Sequence, residues 1–243
     1  EICVRLDEPE PDYPAEDGPL TILYEDEALI ALEKPPGLLM HPSFSRNEGT
    51  LANYLAGYYK RTGQRCAVHP VSRLDRDTFG VVLLAKNAYV HELMRRQHAG
   101  GGMEKTYHAL TCGIPDPPEG EIDAPIARVP GDSLLREIRQ DGKPASSRYR
   151  VLEARAGCAK LELSPLTGRT HQLRLHCAYL GCPILGDPQY GTPGSLTLSA
   201  RYGIAGQQLC AVRLRFLHPM TKKTIEIRVA GDVSLDFLER TVV

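Results

Sequence analysis

No apolar run in the chain approaches the roughly 18 residues that a membrane-spanning helix needs. The first residues, Glu1-Ile2-Cys3-Val4, also lack the basic-then-apolar pattern of a signal peptide. Both absences count against a membrane span and against visible export. Gly-x-Ser-x-Gly, the turn on which many serine hydrolases present their nucleophile, does not occur, and no glycine-rich phosphate loop opens a helix. Internal repeats are missing too. Seven cysteines (Cys3, Cys66, Cys112, Cys158, Cys177, Cys182 and Cys210) are odd in number and scattered, unlike the dense even frameworks of small secreted domains. They read as reduced thiols, which predicts a cytoplasmic protein.

What remains is a folded chain of ordinary composition. With 243 residues, 42% hydrophobic and 24% charged, it can bury a proper core as one large domain or two small ones. The net charge of −1 hides an asymmetry. Residues 1–33 hold eleven acids and one arginine, so the remaining 28 basic and 19 acidic residues give residues 34–243 a net of +9. A basic body suits a polyanion, because phosphate neutralisation supplies most sequence-independent affinity for nucleic acid. It equally suits a well-solvated surface, and charge alone does not separate the two.

Residues 7–19 are rich in proline and acid and read as a linker. The alternating Ile2-Cys3-Val4-Arg5-Leu6 ahead of them reads as the last strand of a preceding unit. A hairpin is predicted from Ile22 to Leu32, stopped by Pro35-Pro36-Gly37, and a buried strand over Val81–Ala85. Asn87 is the predicted N-cap of a helix from Ala88 to Gln97 that Gly100-Gly101-Gly102 ends. Strand patterns follow at Thr106–Cys112, Ser147–Ala154, Lys160–Leu163, Leu209–Phe216 and Thr224–Val229. Thr170 is the predicted cap of a helix over His171–Leu180, closing on Gly181 and Pro183. Short connections and an excess of strands predict an α+β fold with a mixed, mostly antiparallel β-sheet.

Three segments could carry chemistry. Ser72-Arg73-Leu74-Asp75-Arg76-Asp77-Thr78-Phe79-Gly80 lies on a loop entering the most apolar strand. Asp75 or Asp77 there is either a nucleophile or base, or a surface partner of Arg73 and Arg76. Ser164-Pro165-Leu166-Thr167-Gly168-Arg169-Thr170-His171-Gln172-Leu173-Arg174-Leu175-His176 crosses from a strand into a helix whose free N–H groups, with Arg169 and His171, would suit an anion, or is an ordinary capped helix. Tyr107 is a strand tyrosine, more often core than contact. A metal reading of His171, His176, Cys177 and Cys182 is rejected, because the spacings match no standard zinc pattern.

Read in order, Ile-Leu-Tyr-Glu-Asp-Glu (22–27), Glu-Lys-Pro-Pro-Gly-Leu-Leu-Met-His-Pro (33–42), Arg-Leu-Asp-Arg-Asp-Thr-Phe-Gly (73–80), Lys-Thr-Tyr (105–107), Thr-Gly-Arg-Thr-His-Gln-Leu-Arg-Leu-His (167–176) and Gly-Cys-Pro-Ile-Leu-Gly-Asp (181–187) closely resemble RluA-type pseudouridine synthases over residues 20–230. The resemblance implies a pseudouridine synthase-like sheet with flanking helices and loops around a central cleft. It implies a catalytic domain over 20–243, with 1–19 an acidic linker and the remnant of a preceding RNA-binding domain. The implied activity is isomerisation of uridine to pseudouridine in structured RNA, ribosomal RNA ahead of transfer RNA.

By the same resemblance Asp75 matches the catalytic aspartate, attacking either the sugar or the uracil ring. Arg174 matches the arginine that pairs with it, and Tyr107 the tyrosine against the target base. Arg73 matches an arginine near the everted nucleotide, and Leu173 a pocket-packing residue. Leu74, Thr78 and His171 are expected substrate neighbours, and Arg76, Lys105 and Arg169 phosphate contacts. The rearrangement is redox-neutral, so neither metal nor cofactor is expected, and a monomer is the default. Two positions depart from the family pattern: Ser72 where histidine is usual, and Phe79 where serine is usual. A noncatalytic RNA-binding or RNA-folding protein on the same scaffold is the alternative. A nucleoside hydrolase using Asp75 and Asp77 is weaker still.

Overall fold

A computed structural model describes residues 13–43, 46–132 and 134–239. The strand expected at Ile2–Leu6 and the linker residues 7–12 lie outside them. In chain order the elements are β1 (Thr21–Glu25), β2 (Leu29–Lys34), α1 (Leu51–Arg61), β3 (His69–Pro70), β4 (Phe79–Ala85), α2 (Ala88–Ala99), β5 (Met103–Cys112), β6 (Glu119–Asp123), β7 (Ile126–Arg128), β8 (Arg136–Ile138), β9 (Ser146–Arg155), β10 (Cys158–Pro165), α3 (Gln172–Tyr179), α4 (Pro193–Arg201), β11 (Leu209–Leu217), β12 (Thr224–Arg228) and a closing 3-10 turn (Leu235–Glu239). The expected α+β class is the observed one. The ladders β1–β2, β2–β4, β5–β10, β10–β9 and β9–β6 are antiparallel, and an isolated bridge between Leu39 and Thr50 runs parallel.

The chain divides into two compact units, Glu1–Glu104 with Arg213–Val229, and Lys105–Val212 with Ala230–Val243. In the first, β2 pairs with β1 on one side and β4 on the other. The apolar run of β4 is buried along both faces, as a central strand requires. One face, Val81, Leu83 and Ala85, meets Val90 and Met94 of α2 together with Leu214, Phe216 and Ile227. Asn87 caps α2 as expected, its Oδ1 accepting the Val90 N–H at 2.8 Å, and Gly100 closes it.

The helix α1 is not legible in the sequence. Gly57 in its middle weakens the pattern, yet the structure shows why glycine stands there: a Cβ would come within 1.9 Å of the Glu16 carbonyl oxygen. Residues 14–20 form no helix or strand, and this stretch is anchored on α1. The Glu16 N–H donates to the Asn53 carbonyl at 3.1 Å, its carboxylate accepts the Gly49 N–H, and the Asn53 amide donates to the Pro14 carbonyl. Alanine at 57 would gain about 1 kcal/mol of helix propensity. Overpacking against fixed backbone costs about 1–3 kcal/mol, and displacing Glu16 loses its hydrogen bonds as well. Gly57→Ala is therefore expected to lower stability by about 2 kcal/mol, read as a lower urea midpoint at unchanged slope. An unchanged or higher midpoint would show the anchored segment to be free to shift.

The second unit runs β5-β10-β9-β6, with β10 and β9 joined by Ala156-Gly157, both at positive φ, as a tight hairpin turn of this hand needs. Its core joins Ala109, Leu161 and Leu163 of the sheet to Leu173 and Cys177 of α3. Helix α4 is the other helix the sequence hides. Thr192 caps it through the Ser195 N–H and Pro193 opens it, but Gly194 and the Ser/Thr content make weak helix sequence. No helix among the described residues is long and apolar enough to cross a membrane.

Candidate active site

In the first unit the expected residues sit on one loop, 71–78, entering β4. Ser72 is buried and ties that loop to the sheet: its hydroxyl accepts the Leu83 N–H at 3.0 Å, while its own N–H donates to the Leu83 carbonyl. The departure at position 72 thus has a structural use. Leu74 and Thr78 are buried, Arg73 and Arg76 exposed, and Asp75 lies half-buried between them. Asp77, half-buried like Asp75, is bound by Nε and Nη2 of Arg76.

Lys34 was given no role by the sequence. It is 0% exposed at the end of β2, and its Nζ donates to the carbonyls of Pro35, Leu38 and Arg76 at 2.9, 2.8 and 2.7 Å. The third bond fixes the Arg76–Asp77 peptide, one peptide beyond Asp75. Burial pushes the Lys34 amine down to about 8, against the pull of the Asp77 and Asp75 carboxylates. Nearby, burial and the Arg73 charge hold His41 below the usual imidazole range.

In the second unit the residues are spread over β5, α3 and the loop before it. Tyr107 is half-buried on β5 opposite Leu163 and packs against the same core as Leu173. Lys105, two residues earlier on the same face of the strand, is held down to about 8 by burial. Arg169 is exposed, its Nε donating to the Pro144 carbonyl at 2.9 Å.

Thr170 does not cap α3, which begins at Gln172. His171 precedes it in the left-handed region, φ 58°, a conformation histidine tolerates better than β-branched residues, and no side chain caps from there. Gln172 fastens the turn instead. Its Oε1 accepts from the Thr167 hydroxyl and the Arg169 N–H, and its Nε2 donates to the Ser146 carbonyl and the Ser147 hydroxyl. That leaves no amide hydrogen or lone pair idle.

Arg174 is buried and rigidly held. Its Nε and Nη2 donate to the two oxygens of Asp187 at 2.7 and 2.8 Å, Nη2 also reaches Gln189 Oε1 at 2.7 Å, and the guanidinium carbon lies 4.9 Å from the Tyr190 ring centre. Asp187 belongs to the last motif read from the sequence, but nothing there signalled this pairing across 13 residues.

Two residues on from Arg174, His176 is fully buried, with Nε2 3.1 Å from the Ala124 carbonyl and Nδ1 3.0 Å from the Ser147 hydroxyl. A carbonyl can only accept, so Nε2 carries a hydrogen, while burial disfavours a second one on Nδ1. Burial holds its pKa below the ordinary 6.5. The unfolded chain therefore binds the proton first as pH falls, and stability drops below about pH 6.5 by up to ~1.4 kcal/mol per pH unit. His176→Gln is expected to remove part of that acid sensitivity, checked by urea unfolding at pH 7.5 and 5.0. Equal acid losses in both proteins would contradict this reading of the ring.

Among the described residues no group of three or more histidine, cysteine or acidic side chains could hold a metal ion. A profile of the family described as RNA pseudouridylate synthase matches residues 28–179. The chain is 37% identical over 211 residues to an uncharacterised RNA pseudouridine synthase, YjbO, of Bacillus subtilis, covering 87% of this chain and 72% of that one. It is 38% identical over 209 residues to ribosomal large subunit pseudouridine synthase D of Nitrosomonas europaea, covering 85% of this chain and 60% of the relative. Among solved structures, human RNA pseudouridylate synthase domain containing 1 superposes with a TM-score of 0.71 at 26% identity, over 89% of this chain and 86% of that one.

Proposed function

The chain belongs to the RNA pseudouridylate synthase family, a family of isomerases, and from that premise we propose that it converts specific uridines of structured ribosomal RNA to pseudouridine by nucleophilic catalysis from Asp75. The reaction breaks the bond between uracil nitrogen and the sugar and remakes it through carbon, with one proton leaving that carbon and none consumed overall. A carboxylate on the sugar's anomeric carbon or on the pyrimidine ring would hold the separated fragment until it rejoins. Fixing the attacking group in one place supplies much of the rate.

The single observation that carries the assignment is the pinning of the Asp75 loop. Ser72 holds it to β4 on one side and Lys34 holds the Arg76 carbonyl on the other. An ordinary surface turn would not be braced by a fully buried cation. Tyr107 is assigned to stack on the target base and Arg174 to pair with the nucleophile, both by resemblance to the family. The base must leave its stack to be reached, at a cost of a few kcal/mol, with Arg73 assisting and Arg76, Lys105 and Arg169 on phosphates. Relatives named for the large ribosomal subunit support ribosomal RNA ahead of transfer RNA. The same reading makes the protein a cytoplasmic monomer.

The test of the substrate is a comparison of pseudouridine maps from cells with and without the gene. At least one ribosomal uridine is expected to lose modification on deletion. Loss confined to transfer RNA would move the substrate, and unchanged maps would contradict the proposal.

A further inference from the structure

The surroundings of Arg174 are more elaborate than burial alone requires. Asp187, 1% exposed, accepts from Nε and Nη2 of Arg174 and, on Oδ1, from the backbone N–H groups of Gln189 and Tyr190 at 2.9 and 3.2 Å. Its negative charge is therefore fixed by its own chain before it meets the guanidinium. The Tyr190 ring covers one face of that guanidinium. Its hydroxyl accepts the backbone N–H of Arg136, the first residue of β8, at 3.1 Å, and lies 2.7 Å from Nδ1 of His171. Edge and face of a planar cation are thus both specified, and the ring that sets the face is tethered to the β7–β8 hairpin.

A buried ion pair is a poor way to gain stability, because desolvating both charges offsets most of their attraction, and apolar side chains would fill the space as well. What such a pair does provide is a fixed direction for the guanidinium. We propose that Asp187 and Tyr190 are positioning residues that orient the Arg174 guanidinium for the isomerisation, with the Tyr190 hydroxyl tying that orientation to the seating of the β7–β8 hairpin; this rests on the catalytic reading given above. Neither residue touches substrate. Their effect passes through Arg174, so it falls on the chemical step and spares RNA affinity.

The experiment measures single-turnover conversion at saturating RNA, RNA affinity, and the side-chain Nε–H resonance of Arg174. In the wild type that hydrogen is expected to be protected from exchange. Asp187→Asn should lose the protection and slow conversion about 100-fold with affinity within threefold. Should Asp187→Asn not fold, Tyr190 variants carry the test, since that residue is only half-buried. Tyr190→Leu should slow conversion about 30-fold and shift the resonance, while Tyr190→Phe, which keeps the stack and loses the tether, should slow it about fivefold. An active wild type whose variants convert within threefold of it, or lose affinity as much as rate, overturns the positioning role alone. A wild type inert on every RNA, with the Arg174 hydrogen protected, overturns the catalytic reading and leaves the clamp as architecture without a catalytic purpose.

Discussion

Asp75→Asn is expected to convert uridine at least about 10⁴-fold more slowly than the wild type while binding the same RNA with unchanged affinity. The amide is isosteric, so the half-buried loop keeps its shape, and Ser72 and Lys34 still brace it. What would be lost is the negative oxygen to which the proposal assigns the attack. Asp77 is committed to Arg76 at the surface, and Asp77→Asn should accordingly leave the rate within about threefold, as surface ion pairs contribute little. Rate constants from single-turnover assays, with affinity measured separately, check both. Equal losses at the two positions would show that the loop's charge matters rather than a nucleophile.

Lys34→Met is expected to lower the rate about 100-fold or more, with a much smaller loss of stability. Three carbonyls would lose their donor, at about 1–3 kcal/mol each. Removing a fully buried ammonium returns several kcal/mol of desolvation, so the net fall should be about 2 kcal/mol, or roughly 4–8 °C in melting temperature for a chain of this size. The larger consequence is geometric, since the Arg76 carbonyl, one peptide beyond Asp75, would no longer be held. Lys34→Arg should not rescue the rate, because a planar fork cannot aim three donors at three convergent carbonyls. A folded Lys34→Met protein with near wild-type turnover would show the buried amine to be packing only.

The elements legible in the sequence were those whose signals are local. The run Val81–Ala85, the Asn87 cap and the glycines after α2 each act within a few residues, and each lies where expected. What stayed hidden depends on distant chain. Gly57 obscures α1 because the helix must admit the Glu16 carbonyl. Thr170 looked like a cap because nothing nearby reveals that His171 turns left-handed and that Gln172 fastens the corner to β9. The candidate site divides in the same way. The Asp75 loop is readable as a charged cluster before an apolar strand, whereas Lys34 acquires its role only when a carbonyl 42 residues away comes within reach. Asp187 and Tyr190 matter only after the chain folds back on α3.

The account stands most directly on conversion by the purified protein of ribosomal RNA transcribed without modifications, with pseudouridine counted per molecule. It predicts at least one uridine carried to completion by the wild type and none by Asp75→Asn, both proteins remaining bound to the RNA. Tight binding by both with no pseudouridine formed by either would contradict it.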